Sequence, residues 1–582
     1  MDMISLTIDG IKVEVPENTT VLEAARKANI KIPTLCYLKG VNAIGACRMC
    51  LVEMIEGGRG LQAACVLPAA NGMVVSTNSK AVLDARKVNL ELILSNHEKK
   101  CLSCVRNRNC ELQKLCDDLG VDDDVRYEGT SIDRPLDTGS PSIVRDPNKC
   151  ILCRRCVAVC NNVQKVGAIG ATHRGFKTII EPVFGKSLND VLCINCGQCI
   201  TACPVGALSE KSEIDNVWAA LHDKTKHVIV QTAPAVRFGL GEEFGIEPGN
   251  SVTGKMAAAL RRIGFYKVFD TDFAADLTIL EEGTELLDRI NNGGVLPMIT
   301  SCSPGWIKYC ELFFPDFLDN LSTCKSPHEM EGALIKSYYA QKMNLDPKNI
   351  YVVSIMPCTA KKFEKVREEL VNDGLPNVDA VLTTRELARM IKQANIDFVN
   401  LPEEDFDKLL GESTGAAVIF GATGGVMEAA LRTVADILTG KDLEDIDYEA
   451  VRGIEGVKEA TVNVAGMDIK VAVANGTGNA KKLLEAIRSG EKSYHFIEIM
   501  GCPGGCVTGG GQPIVSAQDK MDYDPRVLRA KATYQEDINM QKRKSHKNAE
   551  VQQLYDEFLG KPNSHKAHEL LHTHYHARPK YK

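Results

Sequence analysis

Two copies of one cysteine spacing constrain the fold of this chain more than any other feature of its sequence. Both copies have the pattern C-x2-C-x2-C-x3-C, and a proline follows the second copy. The cysteines are Cys150, Cys153, Cys156 and Cys160 in the first copy, and Cys193, Cys196, Cys199 and Cys203 in the second. This spacing predicts two [4Fe–4S] clusters, each completed by the fourth cysteine of the other copy. Residues 141–212 are therefore expected to fold around two clusters, with residues 161–192 as an insertion between the motifs.

The length and the cysteine content indicate a multidomain metalloprotein. The chain has 582 residues, too many for a single core, and 22 cysteines. Its N-terminus, Met1 to Ser5, lacks the basic segment and the apolar stretch of an export signal. Metal ligation is therefore favoured over disulfides, and a cytoplasmic location is expected. The net charge of −7 argues against a nucleic-acid partner, and no apolar run is long enough to span a membrane.

The N-terminal 80 residues carry a second kind of cysteine pattern. Two short strands at 4–8 and 11–15 are joined by the hairpin signal Asp9-Gly10, and a helix is expected at 20–27. The four cysteines that follow, spaced C-x10-C-x2-C-x14-C, are Cys36, Cys47, Cys50 and Cys65. Residues 1–80 resemble a plant-type ferredoxin domain of the β-grasp type with a [2Fe–2S] cluster. The alternative is a zinc ribbon, which usually has two C-x2-C knuckles where this segment has one.

A histidine precedes the next group of cysteines. The pattern is His97-x3-Cys101-x2-Cys104-x5-Cys110, after a helical stretch at 89–94. Residues 81–140 are therefore expected to hold a [4Fe–4S] cluster, because the pattern is similar to the site with one His and three Cys in hydrogenases and related redox subunits. An imidazole in place of a thiolate makes such a site less negative and should raise its reduction potential. The acidic, Pro/Gly/Ser-rich residues 121–149, which include Asp122, Asp123 and Asp124, are predicted to be a connector.

The composition changes to that of an α/β domain near residue 213. Strands are predicted at 227–232 and 350–355, and a helix at 254–260. Three short segments bounded by Gly, Pro or apolar residues carry the four remaining cysteines of interest, which are Cys302, Cys358, Cys502 and Cys506. Sites in open α/β sheets lie at the carboxyl ends of strands, and we therefore expect these three loops to converge on one metal centre.

The three segments resemble the signatures of the [FeFe]-hydrogenases. They are Thr300–Trp306, Met356–Lys361 and Met500–Cys506. The resemblance implies that residues 213–582 form the catalytic domain, with a C-terminal segment like the small subunit. It also implies an H-cluster, in which cysteines hold a [4Fe–4S] cube bridged to a two-iron subsite with CO, CN⁻ and an azadithiolate. By position Cys506 would bridge the two parts, Cys358 and Cys502 would ligate the cube, Lys361 would donate to a cyanide, and Met356 and Met500 would be soft apolar neighbours.

One position departs from the family pattern. In the family this signature has two adjacent cysteines: the first passes protons to the bridgehead amine, and the second ligates the cube. Here the first is Cys302 and the second position is Ser303. A serine oxygen is a harder ligand than a thiolate and is less suited to an iron–sulfur cluster. Three alternatives remain open: Cys302 takes the ligand role, a Ser-ligated cube is tolerated, or the position was engineered.

A proton path is also implied by the resemblance. Glu282 and Glu285 are three residues apart and hence lie on one face of a predicted helix. With Ser322 and Arg289 they match the proton path of the family, and buried carboxyl groups with raised pKa values are suitable proton carriers. A single Glu on a helix is more often a solvated residue, and the four matching positions favour the functional interpretation.

The expected fold class is a multidomain combination of α+β and α/β units, and the expected activity is 2H⁺ + 2e⁻ ⇌ H₂. The implied cofactors are one [2Fe–2S] cluster, three [4Fe–4S] relay clusters and the H-cluster. Implied partners are ferredoxin and the maturation proteins for the two-iron subsite. A larger electron-bifurcating NAD(P)-linked complex would add flavin-containing diaphorase-type subunits, since this chain has no flavin or nicotinamide motif. The alternatives are a slow H₂ sensor and an iron–sulfur assembly or electron-transfer protein.

The histidines of the tail, at 565, 568, 572, 574 and 576, are interpreted as a solvated or helix-packing terminus.

Overall fold

The N-terminal region is a mixed five-stranded sheet. We describe the fold from a computed structural model that covers residues 2–122, 126–127, 132–464 and 466–581, so Asp123 and Asp124 of the predicted connector lie outside the described residues. The elements are β1 (Met3–Ile8), β2 (Ile11–Pro16), α1 (Val21–Lys27), β3 (Leu51–Glu56), β4 (Leu61–Ala63), β5 (Val74–Ser76) and α2 (Lys80–Leu94). Their strands pair in the order β2-β1-β5-β3-β4. The predicted hairpin is confirmed, since Asp9 and Gly10 both have the positive φ that a two-residue turn requires.

The middle region has little regular structure and is organised by its cysteine loops. Its elements are α3 (Glu111–Leu119), β6 (Ile143–Arg145), α4 (Arg155–Ala158), β7 (Gly170–Thr172), β8 (Ile179–Glu181), α5 (Gln198–Ala202) and β9 (Leu208–Glu210). The antiparallel pair β6–β9 joins the two ends of the double motif, and β7–β8 forms a hairpin within the insertion. A short helix, α4 or α5, begins inside each copy of the motif and ends one or two residues before its fourth cysteine.

The C-terminal region contains two sheets with helices around them. Its first half comprises α6 (Ile214–His222), β10 (His227–Thr232), α7 (Thr253–Ile263), β11 (Lys267–Asp270), α8 (Thr271–Asn292), β12 (Met298–Ile299), α9 (Pro304–Phe313), α10 (Pro327–Leu334), α11 (Ala340–Met343), β13 (Ile350–Met356), α12 (Lys361–Glu364), β14 (Val371–Asn372), β15 (Leu375–Pro376), β16 (Ala380–Thr383) and α13 (Thr384–Gln393). The strands β11-β10-β13-β16 form a parallel sheet, in agreement with the predicted α/β architecture.

The second sheet, β12-β19-β18-β17, is parallel except for its edge strand β17. The remaining elements are α14 (Gly415–Val418), α15 (Gly425–Thr439), β17 (Val457–Val464), β18 (Met467–Asn475), α16 (Thr477–Arg488), β19 (Phe496–Met500), α17 (Asp519–Asp522), α18 (Pro525–Asn539), α19 (Ala549–Leu554) and α20 (His565–Leu571). None of the helices within the described ranges is long and apolar enough to cross a membrane.

The three cysteine segments leave the carboxyl ends of strands, as predicted. The segment with Cys358 follows β13 of the first sheet, whereas those with Cys302 and Cys502 follow β12 and β19 of the second. The candidate site therefore lies where the carboxyl edges of two sheets meet, the usual location of sites in open α/β sheets. The long helix α8 is buried from Thr271 to Leu286 except at Leu280 and Thr284, which are half-buried, and it brings its acidic residues to this region.

Candidate active site and electron relay

The four N-terminal cysteines come together in one loop cluster. Hydrogen bonds from Cys47 and Cys65 lower the pKa of the Cys36 thiol, and a hydrogen bond from Cys65 lowers the pKa of Cys50. All four thiols are free, and Gly45 lies in the loop with a φ of 61°. Four unpaired thiols in mutual contact are a ligand set for a metal centre rather than a disulfide pair.

The His97 group lies against the double motif. Cys104 is so close to Gly206 that a Cβ atom on this glycine would come within 2.5 Å of the sulfur. The Cys110 thiol donates a hydrogen bond to the carbonyl oxygen of Pro204, the residue after the last cysteine of the double motif (3.7 Å). These contacts bring the His97 group next to the first predicted cluster of the pair.

In the double motif, the fourth cysteine of each copy lies near cysteines of the other copy, as the predicted exchange requires. After burial, Cys203 contributes to the raised pKa values of Cys153 and Cys156, whereas Cys193 contributes to that of Cys160. Backbone N–H groups point at sulfur atoms: the Leu152 amide donates to Cys150 Sγ (3.4 Å). The amides of Asn195 and Ala168 do the same at Cys193 (3.4 Å) and Cys160 (3.3 Å). Such amides are the usual hydrogen-bond donors to cluster sulfurs.

Direct hydrogen bonds connect the groups into a branched series. The Asn42 side-chain amide donates to the carbonyl oxygens of Cys36 (2.7 Å) and Cys153 (3.1 Å) and so joins the N-terminal cluster loop to the double motif. At the other end, the Thr359 hydroxyl donates to the Asn195 carbonyl (2.7 Å). Thr359 follows Cys358, and the double motif is therefore adjacent both to the two N-terminal groups and to the catalytic loops.

The four C-terminal cysteines are neighbours in space. Burial raises the pKa values of Cys502 and Cys506, and Cys358 raises both further. Cys506 in turn contributes to the raised pKa of Cys302, after burial and Glu282. Close packing of the loop requires glycine at position 505, because a Cβ atom there would lie 2.7 Å from the backbone nitrogen of Thr423. The predicted convergence of the three loops is thus observed.

Cys302 and Ser303 face different neighbours. Glu282 contributes to the raised pKa of the Cys302 thiol. The Ser303 hydroxyl accepts a hydrogen bond from the amide of Gly501 (3.1 Å), the residue before Cys502. The thiol is therefore on the side of the acidic helix, and the hydroxyl is on the side of the other cysteines.

Lys361 is held at the edge of the same pocket. Its ammonium group donates to the Cys302 carbonyl oxygen (3.2 Å) and to Glu364 (2.8 Å). Glu364 also contacts Nε2 of the buried His328 (2.7 Å). Met356 and Met500 are both 2% exposed at the ends of their strands. A buried ammonium with a fixed carboxylate partner is well placed to donate to an anionic ligand.

The four residues of the predicted proton path form a continuous chain. Burial and the nearby Glu285 together raise the pKa of Glu282 to about 7, and hydrogen bonding by Ser322 opposes the rise. The Ser322 hydroxyl donates to Glu285 Oε2 (3.0 Å), and Arg289 pairs with Glu285 Oε1 (2.6 Å). A carboxyl group that titrates near neutral pH next to a second carboxylate is suited to proton transfer.

Comparison of this chain with known protein families and relatives agrees with this geometry. A family model of the iron only hydrogenase large subunit, C-terminal domain, matches residues 226–510, and one of the iron hydrogenase small subunit matches residues 522–578. The chain is 50% identical to the NADP-reducing hydrogenase subunit HndD of Solidesulfovibrio fructosivorans, over 99% of this chain and 100% of that protein. It is 45% identical to iron hydrogenase 1 of Clostridium pasteurianum, over 98% of this chain and 100% of that protein. The chain belongs to the iron-only hydrogenases.

Further matches agree with the N-terminal iron–sulfur domains of this hydrogenase. Models of a 2Fe-2S iron-sulfur cluster binding domain, of the NADH-ubiquinone oxidoreductase-G iron-sulfur binding region and of the NADH-quinone oxidoreductase subunit 3 ferredoxin-like domain match residues 1–80, 86–124 and 140–209. A structure of the [FeFe]-hydrogenase HydA1 from Chlamydomonas reinhardtii superposes with a TM-score of 0.57 at 43% identity, and covers 63% of this chain and 99% of that one. The chain is therefore a hydrogenase oxidoreductase in which relay domains precede the catalytic domain.

The residues of the hydrogenase fit the clusters that its family implies. Within the described residues, Nδ1 of His97 is buried and has no hydrogen-bond partner. Buried polar atoms are almost always paired, so the unpaired imidazole nitrogen of His97, which precedes three cysteines in the sequence, fits the predicted cluster ligand. Burial lowers the pKa of His97, which favours the neutral form that binds metal.

Sequence reasoning missed two buried histidines of the hydrogenase: His328, the partner of Glu364, and His572 in the tail. The tail returns to α8, where His572 contacts Glu281 (3.2 Å) and Thr323 (2.8 Å). The interpretation of the tail as helix-packing is correct for α20, whose residues Ala567, Leu570 and Leu571 are buried, but a solvated terminus is wrong for His572. No local pattern distinguishes His572 from its exposed neighbours, because its partner Glu281 is 291 residues away.

Proposed function

We propose that this hydrogenase catalyses reversible proton reduction as the hydrogen-converting subunit of an NAD(P)-linked, electron-bifurcating complex. The observation that carries the catalytic part is the convergence of Cys302, Cys358, Cys502 and Cys506 next to the chain of Glu282, Ser322 and Glu285. The complex is supported by the 50% identity to an NADP-reducing hydrogenase subunit. Its flavin-containing diaphorase-type subunits would be separate chains. Ferredoxin as electron partner, the maturation proteins and a cytoplasmic location remain predictions.

The proposed division follows the cysteine groups. Residues 1–80 would hold a [2Fe–2S] cluster, residues 81–140 a [4Fe–4S] cluster on His97 and three cysteines, and residues 141–212 two [4Fe–4S] clusters. Residues 213–582 would hold the H-cluster. The branched contacts through Asn42 and Pro204 support two inlets for electrons that merge at the double motif.

Each residue of the catalytic loops has a separate proposed task. Cys358, Cys502 and Cys506 would ligate the cube, with Cys506 as the bridge, and Ser303 would occupy the fourth ligand position because it faces Gly501. Cys302 would pass protons between Glu282 and the pocket. Lys361, held by Glu364, would donate to a cyanide, and Met356 and Met500 would exclude water. When bound, the two-iron group supplies the site where protons and electrons combine.

Infrared spectroscopy of the matured protein tests the catalytic assignment. We expect CO and CN⁻ vibrations that shift when the protein is reduced with H₂. A protein that shows only iron–sulfur signals and no such vibrations after maturation would be an electron carrier, and the assignment would fail. Copurification from the native host tests the complex: a stoichiometric flavin-containing subunit is expected, and recovery of the chain alone would contradict this part.

A slow H₂ sensor is the second candidate, and Ser303 is the observation that favours it. An oxygen ligand at a cube position should alter its potential and slow electron delivery. Ser303→Cys restores the family residue and adds only a larger atom at the same place. If the serine limits turnover, this variant should raise the rate with a reduced dye by roughly 10-fold, in keeping with a barrier change of about 1.4 kcal/mol. An unchanged rate would remove this support for a sensor.

A further inference from the structure

A buried histidine of the tail lies at the outer end of the proton path. Backbone hydrogen bonds join Lys325 to Leu571 and Thr573 to Thr323 (2.8 Å each), so that the tail runs beside the segment that carries Ser322. The side chain of His572 is held there with an exposure of 4%. Glu285, Cys324 and His572 lie together, with their potential ligand atoms within 4.8 Å of one another.

The hydrogen bonds of His572 fix the roles of its two ring nitrogens. Glu281 accepts from the Tyr555 hydroxyl (2.5 Å) and the Asn563 amide (2.7 Å), and its contact with His572 Nε2 (3.2 Å) requires a donor on the ring. With Nε2 protonated, Nδ1 is an acceptor in neutral imidazole and a donor in imidazolium. Nδ1 faces the Thr323 hydroxyl at 2.8 Å.

The Thr323 hydroxyl therefore has two alternative partners. When His572 is neutral, the hydroxyl donates to Nδ1; when His572 is charged, it accepts from Nδ1 and is free to donate to Glu285 Oε2, 3.3 Å away. Oε2 is also the oxygen that accepts from Ser322 (3.0 Å), on the way to Glu282. The Thr323 amide donates to the same oxygen (3.1 Å). The protonation state of His572 thus sets whether the Thr323 hydroxyl adds a further donor, one that can pass on its proton, to this oxygen of Glu285.

Arg289 cannot take this role. It pairs with the other oxygen, Oε1, and guanidinium does not lose its proton in proteins. Imidazole exchanges its proton near neutral pH, and the exposed ring of His568 lies against His572 with a centroid distance of 4.1 Å. We propose that His572 donates protons to Glu285 through the Thr323 hydroxyl and is a positioning and proton-relay residue at the outer end of the path.

The transfer conserves charge and protons. The Nδ1–H bond breaks, its proton forms an O–H bond on Thr323, and the original hydroxyl proton of Thr323 forms an O–H bond on Glu285 Oε2. Imidazolium becomes imidazole, and the carboxylate becomes a carboxylic acid. The titratable or charged groups around this transfer are Glu281, Glu285, Arg289, Cys324, Tyr555, His568 and His574. The inference deepens the proposed function and rests on it.

Activity measurements test the route with matched variants. His572→Gln keeps a polar side chain but cannot carry a proton, and Thr323→Val removes only the hydroxyl. Each should lower the proton-limited rate of H₂ production by about 10²-fold near pH 7, the lower end of the usual contribution of a proton-transfer group, and flatten its pH profile. Thr323→Ser should keep the wild-type rate, and so should His565→Gln, which alters an exposed histidine at the start of α20. Unchanged pH profiles in both His572→Gln and Thr323→Val would overturn the proposal.

Infrared spectroscopy tests the same link without turnover. In protein that lacks the two-iron subsite, pH-difference spectra with isotope-labelled histidine should show an imidazole band that is lost in His572→Gln. Glu285→Gln should move the midpoint of this band to lower pH, because removal of a nearby anion disfavours imidazolium. A band that does not titrate between about pH 5 and 8, the range in which a histidine can serve as a switch, would contradict the proposal even if the protein is an active hydrogenase. Conversely, a correct titration in a protein without hydrogenase activity would count against the proposed function alone.

Discussion

The electron relay and the proton path of this hydrogenase are assembled in different ways. The predicted relay ligands occur in groups that are close in the sequence, such as Cys193, Cys196 and Cys199. The proton path takes Glu282 and Glu285 from α8, Ser322 from a following loop and, as we infer, His572 from the tail. The relay thus depends on local spacing, whereas the proton path depends on the packing of distant segments.

The two regions also differ in what their burial achieves. Burial raises the pKa values of thiols such as Cys153 and Cys502, which opposes the thiolate that a cluster needs, and metal binding must offset this cost. At Glu282 the same effect is useful, because it brings a carboxyl group to a pKa of about 7. Desolvation therefore opposes thiolate formation in the electron relay until metal is bound, whereas in the proton path it sets the pKa of Glu282 without a metal.

The largest effect on hydrogen turnover is expected when one of the proposed catalytic cysteines is removed, whereas removal of a core thiol should have little effect. Cys506→Ala should reduce hydrogen turnover to the level of protein that has not been matured, because the proposed bridge to the two-iron subsite is lost. The proposed relay clusters would lie on other cysteines, so their electron paramagnetic resonance signals should remain. Hydrogen production with a reduced dye and the spectrum of the reduced protein measure the two outcomes.

Cys310 offers the matched control for this variant. It is fully buried and lies outside every cysteine group, and its thiol donates to the Phe314 carbonyl (3.4 Å). Cys310→Ala should retain turnover and cluster content, with a modest loss of stability from the small cavity. Equal loss of turnover in both variants would mean that Cys506 acts through folding and not as a ligand.

The second largest effect on turnover is expected from a substitution in the proposed proton path alone. Glu282→Gln preserves shape and hydrogen bonding but cannot shuttle a proton, so turnover should fall by about 10²- to 10⁴-fold, the usual contribution of a proton-transfer group. Metal content and the infrared bands of the matured protein should not change. Loss of those bands in Glu282→Gln would show that Glu282 is needed to assemble the site, and the distinction between the two regions would fail.

The sequence predicts more of the electron relay than of the proton path. The strand at 227–232 and the Asp9-Gly10 hairpin follow from local patterns, and the structure has both. The exchange of Cys160 and Cys203 follows from spacing. Glu282 and Ser322 were identified only through the resemblance to a family, since their adjacency depends on tertiary packing. Neither local patterns nor the family resemblance identified His572, because its burial results from backbone pairing between the tail and residues 323–325.

The smallest effect is on stability, and it tests whether Glu282 is tuned by burial. Its folded pKa of about 7 lies above the ordinary 4.5, so between these values the folded state binds more protons than the unfolded state. The free energy of unfolding contributed by this group should therefore be highest below pH 4.5 and fall as pH rises to about 7. Glu282→Gln lacks this term, and its melting temperature relative to wild type should be higher at pH 8 than at pH 5. A difference that does not depend on pH would show that Glu282 is ionised throughout this range, and its role as a neutral-pH proton carrier would lose its physical basis.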